Sequence, residues 1–468
     1  MKISFFFSAL LWILMANNAM AQVQSSASLS DRSFWKDYPT LMDVQERVDI
    51  GDDPSALGPF DFDPMSWALI EQAPLEVLRF LLGFEGNGVN KLTHDGRSYV
   101  FWAAYKDNLP FIKELKELGA DFGIVDEHGY SLLNFAAVTG QTNPKLYDYL
   151  IEQGSDPKTE FNSNGAQALL LLAPFISDDE MVDYFAKFGL SMNDTDKDGS
   201  NGFLYACKGG NIDYLKSLVQ SGMEAKIRNG EGQSAAHFAA IGTRGKSNGK
   251  ELFDFLKENG VDLNQKDEKG VTPLMEYVRG KADAATVTYL AAEAHDLNAV
   301  DSDGFSAMHF ALSSAEVATV KALMDCGWSA SDAPFKSESL FHALAEQYDP
   351  SDHDGFSEKI QLLRSKGIPV LQSLPSNETW FHLGARTQSL DMLKFAALLQ
   401  LDVNHIDEDG MTSLHEACLT ARDVENLQWL VYFGADIQIT TMFGETAFEL
   451  AKENEALVGV DLNFLKTE

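Results

Sequence analysis

Glycine returns along this chain of 468 residues at a nearly fixed step. It stands at Gly96, Gly129, Gly165, Gly199, Gly232, Gly270, Gly304, Gly410 and Gly444, with Ser337 and Asn377 filling the two gaps. The steps are 33, 36, 34, 33, 38, 34, 33, 40, 33 and 34 residues. A period of this length belongs to stacked supersecondary units, each packed on its neighbours, and not to a single closed core. It moves the question of function from pockets to surfaces.

The residues around each marker repeat as well. Two positions on comes a hydroxyl: Ser98, Ser131, Ser234, Thr272, Ser306, Ser339, Thr379, Thr412 and Thr446. An apolar run follows at once, as in Leu414-His415-Glu416-Ala417-Cys418. A hydroxyl so placed accepts a hydrogen bond from an otherwise unpaired backbone N–H and starts a helix. A second segment, for example Val424, Leu427, Leu430 and Val431, has its apolar residues spaced for one helix face. It stops at a glycine suited to the left-handed residue after a helix: Gly119, Gly154, Gly189, Gly222, Gly260, Gly327, Gly367 and Gly434. Each unit is therefore predicted to be a turn, a short helix, a loop and a longer helix.

The phrase Asp407-Glu408-Asp409-Gly410-Met411-Thr412-Ser413-Leu414-His415-Glu416-Ala417, closed by Phe433-Gly434-Ala435-Asp436, resembles the ankyrin repeat, as does Thr272-Pro273-Leu274. The resemblance runs in register from about Asp61 to the C-terminus. It implies an all-α solenoid of about eleven to twelve helix-turn-helix units with short β-turn tips. It also implies a concave strip, made of the tips and the first helices, on which partner proteins bind. Repeat 4 departs from the pattern, with Gly165-Ala166-Gln167-Ala168 lacking the capping hydroxyl, and repeat 7 sets Glu276 in the histidine neighbourhood. Ala294 and Gln400 replace two closing glycines, so those helix ends are expected to be less regular.

The chain opens Met1-Lys2, continues with an apolar stretch from residue 3 to about 16, and reaches Ala19-Met20-Ala21. A basic start, a short apolar run and an A-x-A site describe a secretory signal peptide over 1–21, cut before Gln22. The run is shorter than the ~20 residues needed to span a bilayer. Residues 22–33 read as a disordered leader, 34–60 as an atypical N-terminal cap, and 61–468 as one elongated solenoid ending in its own cap. An exported chain of this composition is expected in the periplasm or outside the cell, with no membrane insertion.

Seventy acidic against thirty-six basic residues give a net charge of −34. Such a field repels nucleic-acid phosphates and anionic lipid. It either attracts a partner with a basic surface or keeps a long stack soluble. The three cysteines, Cys207, Cys326 and Cys418, sit too far apart in the repeat register to pair, and are expected as free thiols.

Candidates for chemistry mostly dissolve into the repeat. His237, His309, His342, His382 and His415 all stand five residues after the marker, where the ring is expected to bond backbone between adjacent turns. Asp194-Thr195-Asp196-Lys197-Asp198-Gly199 begins like a calcium loop, but its twelfth position is Tyr205 and not the bidentate glutamate such a loop needs. Gly242-Thr243-Arg244-Gly245-Lys246-Ser247 lacks two spacers of a phosphate loop and reads as a mobile basic loop inserted in repeat 6. His353 lies in an acidic insertion of repeat 9, residues 349–355, read as a solvated loop. Neither a catalytic group nor a cofactor is expected. An enzymatic or metal-dependent module built on those two insertions is the rival class, and a secreted effector acting on a host cell the rival destination.

What remains is a surface. Bulky apolar residues flank the markers of the C-terminal half: Phe305, Phe335, Met411, Met442 and Phe443. Acids ring them, among them Asp303, Glu338, Glu408, Asp409 and Glu445. Apolar anchors inside a charged rim suit a protein interface. Phe305, Phe335, Met411 and Phe443, with Asp303, Glu408 and Asp409, are the predicted partner-binding residues, sharing one edge in one phase of the repeat. The resemblance to exported bacterial ankyrin proteins implies a non-catalytic scaffold that protects, inhibits or assists an exported enzyme, such as a peroxide-removing or cell-wall enzyme.

Overall fold

The computed structural model describes residues 27–466, apart from 281, 331–333, 335–337, 369 and 371–373. The proposed signal peptide and the tip carrying Phe335 and Ser337 lie outside the described residues. Two compact units emerge, Met1–Glu224 and Ala225–Glu468. One domain was expected over 61–468. The boundary falls between Gly222 and Gly232, in a bridge between repeats.

The first unit begins earlier than expected. Within the span read as a disordered leader, Leu29 is fully buried and Trp35 follows it into the core. The Trp35 indole donates to the Leu29 carbonyl at 2.9 Å, and the Leu29 N–H donates to Asp52 at 2.8 Å. Composition suggested disorder because polar residues outnumber apolar ones in that span. The helix Leu41–Asp49, capped reciprocally by Thr40 and Asp43, completes this cap. Five helix pairs follow, from Pro64–Ile70 with Leu75–Leu82 to Gly202–Gly209 with Ile212–Gln220. The second unit stacks six pairs, from Ala235–Ile241 with Lys250–Glu258 to Ser413–Thr420 with Glu425–Phe433, and ends on Ala447–Glu453. Among the described residues there are helices and isolated bridges but no strands.

Most first helices have seven or eight residues, too few to persist alone. They hold because they are nearly all core: every residue from Ala235 to Ala240 is buried. The second helices bury one face, such as Leu252, Phe253, Phe255 and Leu256 of Lys250–Glu258. All nine marker glycines have positive φ, between 69° and 85°. Asn377, standing in for glycine, takes the same left-handed conformation at 58°, as asparagine does more readily than most residues. At seven of the nine marker glycines an Asp or Asn stands three residues earlier and closes the tip. The Asp301 carboxylate, for example, accepts from the N–H groups of Asp303 and Phe305 at 3.0 and 2.9 Å.

The departures have local causes. Gln167, the N-cap of repeat 4, makes no capping bond and its helix lasts five residues before tightening into the turn Ala173–Phe175. That turn crowds the next repeat so closely that a Cβ at Gly209 would lie 1.7 Å from the Pro174 carbonyl oxygen. Gln400 takes positive φ, 58°, in place of a closing glycine, whereas Ala294 leaves the helix extended at φ −68°, ψ 131°. The insertion around His353 is not a loop. Pro350–Asp352 forms one turn and His353 opens the helix His353–Ser365, thirteen residues long.

Candidate functional site

The predicted strip lies in the second unit, and its backbone is held turn to turn. The Ser302 N–H donates to the Lys269 carbonyl at 2.7 Å, and the Glu408 N–H to the Ser376 carbonyl at 3.0 Å. The histidine slot adds a second tie. In His382 the Nδ1 atom accepts from the Thr379 N–H at 3.1 Å, so Nε2 carries the proton and donates to the Met411 carbonyl at 3.2 Å. His237 and His415 repeat this toward Val271 and Ile439, and His309 reaches the Ser339 hydroxyl. Three of the five rings, His237, His382 and His415, thus bond backbone across adjacent turns as expected, while His309 meets a side-chain hydroxyl.

On this edge the apolar residues differ in exposure. Phe443 is 81% exposed and Met442 65%. Phe305 is 38% exposed, its ring lying against His309 and Phe310 at 5.4 and 6.2 Å between centroids. Met411 is half-buried, while Asp303, Glu408 and Asp409 are exposed. Gly410 packs against Met442, so Glu408, Asp409, Met411 and Phe443 stand on adjoining tips. One expectation is corrected: these residues do not share a phase. Phe305 and Met411 follow their glycine, whereas Phe443 precedes its own, in the place held elsewhere by Asp303 and Asp409.

Behind the tips stands a charge cluster that the sequence did not announce. One carboxylate oxygen from each of Glu378, Asp407 and Glu416 lies within 4.8 Å of the others. The Arg386 guanidinium pairs with Glu378 at 2.5 Å and approaches Glu416 at 3.9 Å. Burial, with repulsion from Glu378, Asp407 and Asp409, pushes the Glu416 carboxyl above its ordinary value against the pull of Arg386. One cation thus faces three half-buried acids, and the cluster carries excess negative charge. These three carboxylates are the donors that could hold a cation. An analogous arginine, Arg279, pairs with Glu276 and Asp301 and covers the Phe310 ring at 4.0 Å.

The insertions hold less chemistry than their composition suggests. His353 Nδ1 is bonded to the Tyr348 hydroxyl at 2.8 Å and its ring stacks on Phe356. Asp349 and Asp352 spend their carboxylates on their own backbone, at Ser351 and Gly355. In the calcium-like segment the Asp196 carboxylate closes the turn through Asp198 and Ser200 and accepts from the Tyr205 hydroxyl at 2.9 Å. All three cysteines are free. Burial raises each thiol, that of Cys418 to about 12.

Two features of the first unit were missed. The sixth residue after the marker is aromatic in several repeats, giving Trp102, Phe135 and Tyr205 there and Phe238 and Phe310 in the second unit, a series visible at the same period. Arg97 lies between the first two rings, 5.5 Å from that of Trp102 and 4.6 Å from that of Phe135. Phe60, at 81% exposure, tops the first tip. That tip has Asp61 where most other repeats have glycine, which hid it from the count.

Family models described as ankyrin repeats match residues 65–161 and 243–332 as three-copy arrays, 203–247 as many copies and 409–442 as a single repeat. Together they cover more than half of the chain. The chain belongs to the ankyrin-repeat family. Each of its two units is an all-α ankyrin stack. The chain is similar to a putative palmitoyltransferase of Danio rerio, 25% identical over 47% of this chain and 34% of that one. It is also similar to a putative ankyrin repeat protein of Rickettsia felis, 26% identical over 43% of this chain and 52% of that one. The chain spans 34% and 52% of the length of these two ankyrin-repeat relatives. A solved complex of a predatory endopeptidase from Bdellovibrio bacteriovorus with an immunity protein aligns at 22% identity and a TM-score of 0.33, over 42% of this chain and 98% of the matched chain. No helix among the described residues is long and apolar enough to cross a membrane.

Proposed function

We propose that this ankyrin-repeat chain is an exported, non-catalytic scaffold that binds a partner protein along the tips and inner face of its second unit. The observation that carries this is Phe443, 81% exposed beside Met442 on a tip held by backbone bonds. A large aromatic held in water on rigid backbone costs little ordering entropy when a partner covers it. Around it Glu408, Asp409 and the Glu378–Asp407–Glu416 group supply a negative rim, which favours a partner with a basic surface. The non-catalytic reading is supported by the raised thiols, which leave no ready sulfur nucleophile among the three cysteines. The opening basic-apolar-Ala19-Met20-Ala21 segment supports export, and a bacterial periplasmic enzyme that the scaffold protects or inhibits is the partner class we favour.

The test is capture with purified protein from fractionated cells, comparing the native chain with Phe443→Ala and with a Glu378→Gln, Glu416→Gln double variant. One protein retained by the native chain, lost at least about tenfold in both variants and found in the same extracytoplasmic fraction, is the expected result. A partner retained equally by all three moves the interface off this face. A chain found with Met1 intact in the cytoplasm removes the export half.

A further inference from the structure

The connection between the helices of repeat 6 is unlike the others. Gly210 and Asn211 alone join the two helices of repeat 5, whereas residues 242–249 separate Ala235–Ile241 from Lys250–Glu258. Expected as a mobile loop, this segment folds as a closed two-residue hairpin. The Thr243 and Lys246 backbones exchange both hydrogen bonds, at 3.2 and 3.0 Å, with Arg244 and Gly245 at the apex. Gly242 leaves the helix at φ 64°, and a Cβ there would lie 2.7 Å from the Lys246 carbonyl oxygen. The base is pinned from both sides. The buried Asn248 amide donates to the Ala239 carbonyl at 2.9 Å, and the Tyr277 hydroxyl of the next repeat donates to the Asn248 carbonyl at 2.9 Å.

Beside this hairpin lies a shallow cleft of about 280 Å³, bounded by residues 240–247 and Gly280. Its chemistry runs against that of the whole chain. Residues 242–250 hold Arg244, Lys246 and Lys250 and no acid, in a protein with a net charge of −34. Lys250 is engaged with Asp254 at 3.6 Å, and the neighbouring Arg279 with Glu276 and Asp301. Arg244, at the apex, is exposed. Ala240 and the 39%-exposed Ile241 give the cleft an apolar side, and Thr243 and Ser247 add hydroxyls.

We propose that this hairpin and cleft bind a carboxylate carried on a small apolar group, of the kind presented by the C-terminus of a peptide ending in alanine or valine. A guanidinium pairs a planar carboxylate through two parallel hydrogen bonds, and Lys246 adds a second cation on the same rim. Ala240 and Ile241 accept the methyl-sized side chain. The surrounding field favours a monoanion over a dianionic phosphate, since the summed negative charge of the protein opposes each further unit of ligand charge.

Titration calorimetry on the full chain tests this with three probes: acetyl-Gly-Ala-Ala with a free carboxylate, the same peptide as its amide, and inorganic phosphate. Saturable binding of the free peptide is expected, with the amide and phosphate each at least about tenfold weaker. Arg244→Gln with Lys246→Gln, both at exposed positions, is expected to lose about tenfold for the free peptide. The control Lys452→Gln, on an exposed cation of the last helix, Ala447–Glu453, leaves binding unchanged. Equal binding of peptide and amide, a double variant that binds like the native chain, or no saturation by about 10 mM each overturns the site. Phosphate binding tighter than the peptide overturns the carboxylate assignment. None of these outcomes touches the tip interface, whose residues lie on other repeats.

Discussion

The two units solve one structural problem with different chemistry. Five residues after the marker the second unit places His237, Met275, His309, His342, His382, His415 and Glu449, while the first places Phe101, Asn134, Leu170 and Leu204. In the second unit neutral imidazoles tie one turn to the next. The first unit uses a buried cation at one of its turns. Arg97 donates to Asp126 through Nε at 2.8 Å and Nη2 at 2.7 Å, and to Asp95 through Nη1 at 2.8 Å. Asn134 occupies the histidine place with neither amide atom bonded, although both are buried. The stacking geometry therefore tolerates apolar, amide or imidazole groups in this slot. What the choice changes is the response to acid.

The largest expected effect follows from that choice. Burial lowers the pKa of His237, His382 and His415, and takes His309 from 6.5 to about 4. The unfolded chain then binds protons before the folded one. Stability is fully present above about pH 6.5 and falls as pH drops below it, for His309 until about pH 4. Each such histidine contributes at most ~1.4 kcal/mol per pH unit in its window. Protonation also removes the acceptor that the N-cap N–H uses. Hydrogen exchange between pH 7 and 4.5, corrected for intrinsic rates, is expected to show the second unit opening several kcal/mol more easily while the first changes little. Equal loss in both units would break the comparison.

Arg97→Ala tests the other half. Removing the cation leaves Asp126, whose side chain is fully buried, without its partner. Breaking such a pair costs roughly 3–5 kcal/mol. Local exchange is expected to rise in repeats 2 and 3, with the histidine-tied repeats unaffected. Arg97→Lys is expected to recover only part of this, because an ammonium cannot make the bidentate contact. Full recovery by lysine would mean that charge alone holds the turn.

A smaller contrast lies within the strip itself. Both residues flank a marker at a tip, but Phe305 lies against His309 and Phe310 whereas Phe443 has no ring neighbour among the described residues. Phe305→Ala is expected to cost about 1–2 kcal/mol of stability, and Phe443→Ala less than about 0.5. Denaturant midpoints decide this. If Phe443→Ala destabilises as much as Phe305→Ala, its ring packs on the protein and is not presented to a partner.

Most of the fold was legible because the repeat writes its signals locally: a positive-φ glycine, a cap two residues on, an apolar run, a closing glycine. The functional surface was legible only in part, and for a physical reason. Phe305, Met411 and Phe443 flank a marker and show themselves in one line of sequence. The acid group needs Glu378 from one repeat and Asp407 and Glu416 from the next, with Arg386 between, so it exists only after stacking. Arg97 stands one residue after its marker, and nothing local shows that Asp126 and the Phe135 ring will close over it. Composition misled at residues 27–33, where the buried Leu29, with Trp35 just beyond, outweighs the polar majority.

The smallest expected effect compares the two most exposed tip aromatics. Phe60 and Phe443 are each 81% exposed, but their backbones differ. Phe60 and Asp61 both sit in the left-handed region, at φ 59° and 60°, whereas at the last tip Gly444 takes the positive φ, 82°. A left-handed phenylalanine costs roughly 1–2 kcal/mol, and a turn with two such residues prefers asparagine or glycine. The Phe60 carbonyl is meanwhile held by His94 Nδ1 at 2.9 Å, so the turn cannot relax without losing that bond. Phe60→Asn is therefore expected to stabilise the first unit by about 1 kcal/mol, while Phe443→Asn leaves the second unit within about 0.5 kcal/mol. Urea midpoints for both variants measure the difference. A Phe60→Asn variant that gains nothing would mean that the ring, despite its exposure, offsets the backbone strain through contacts with the protein.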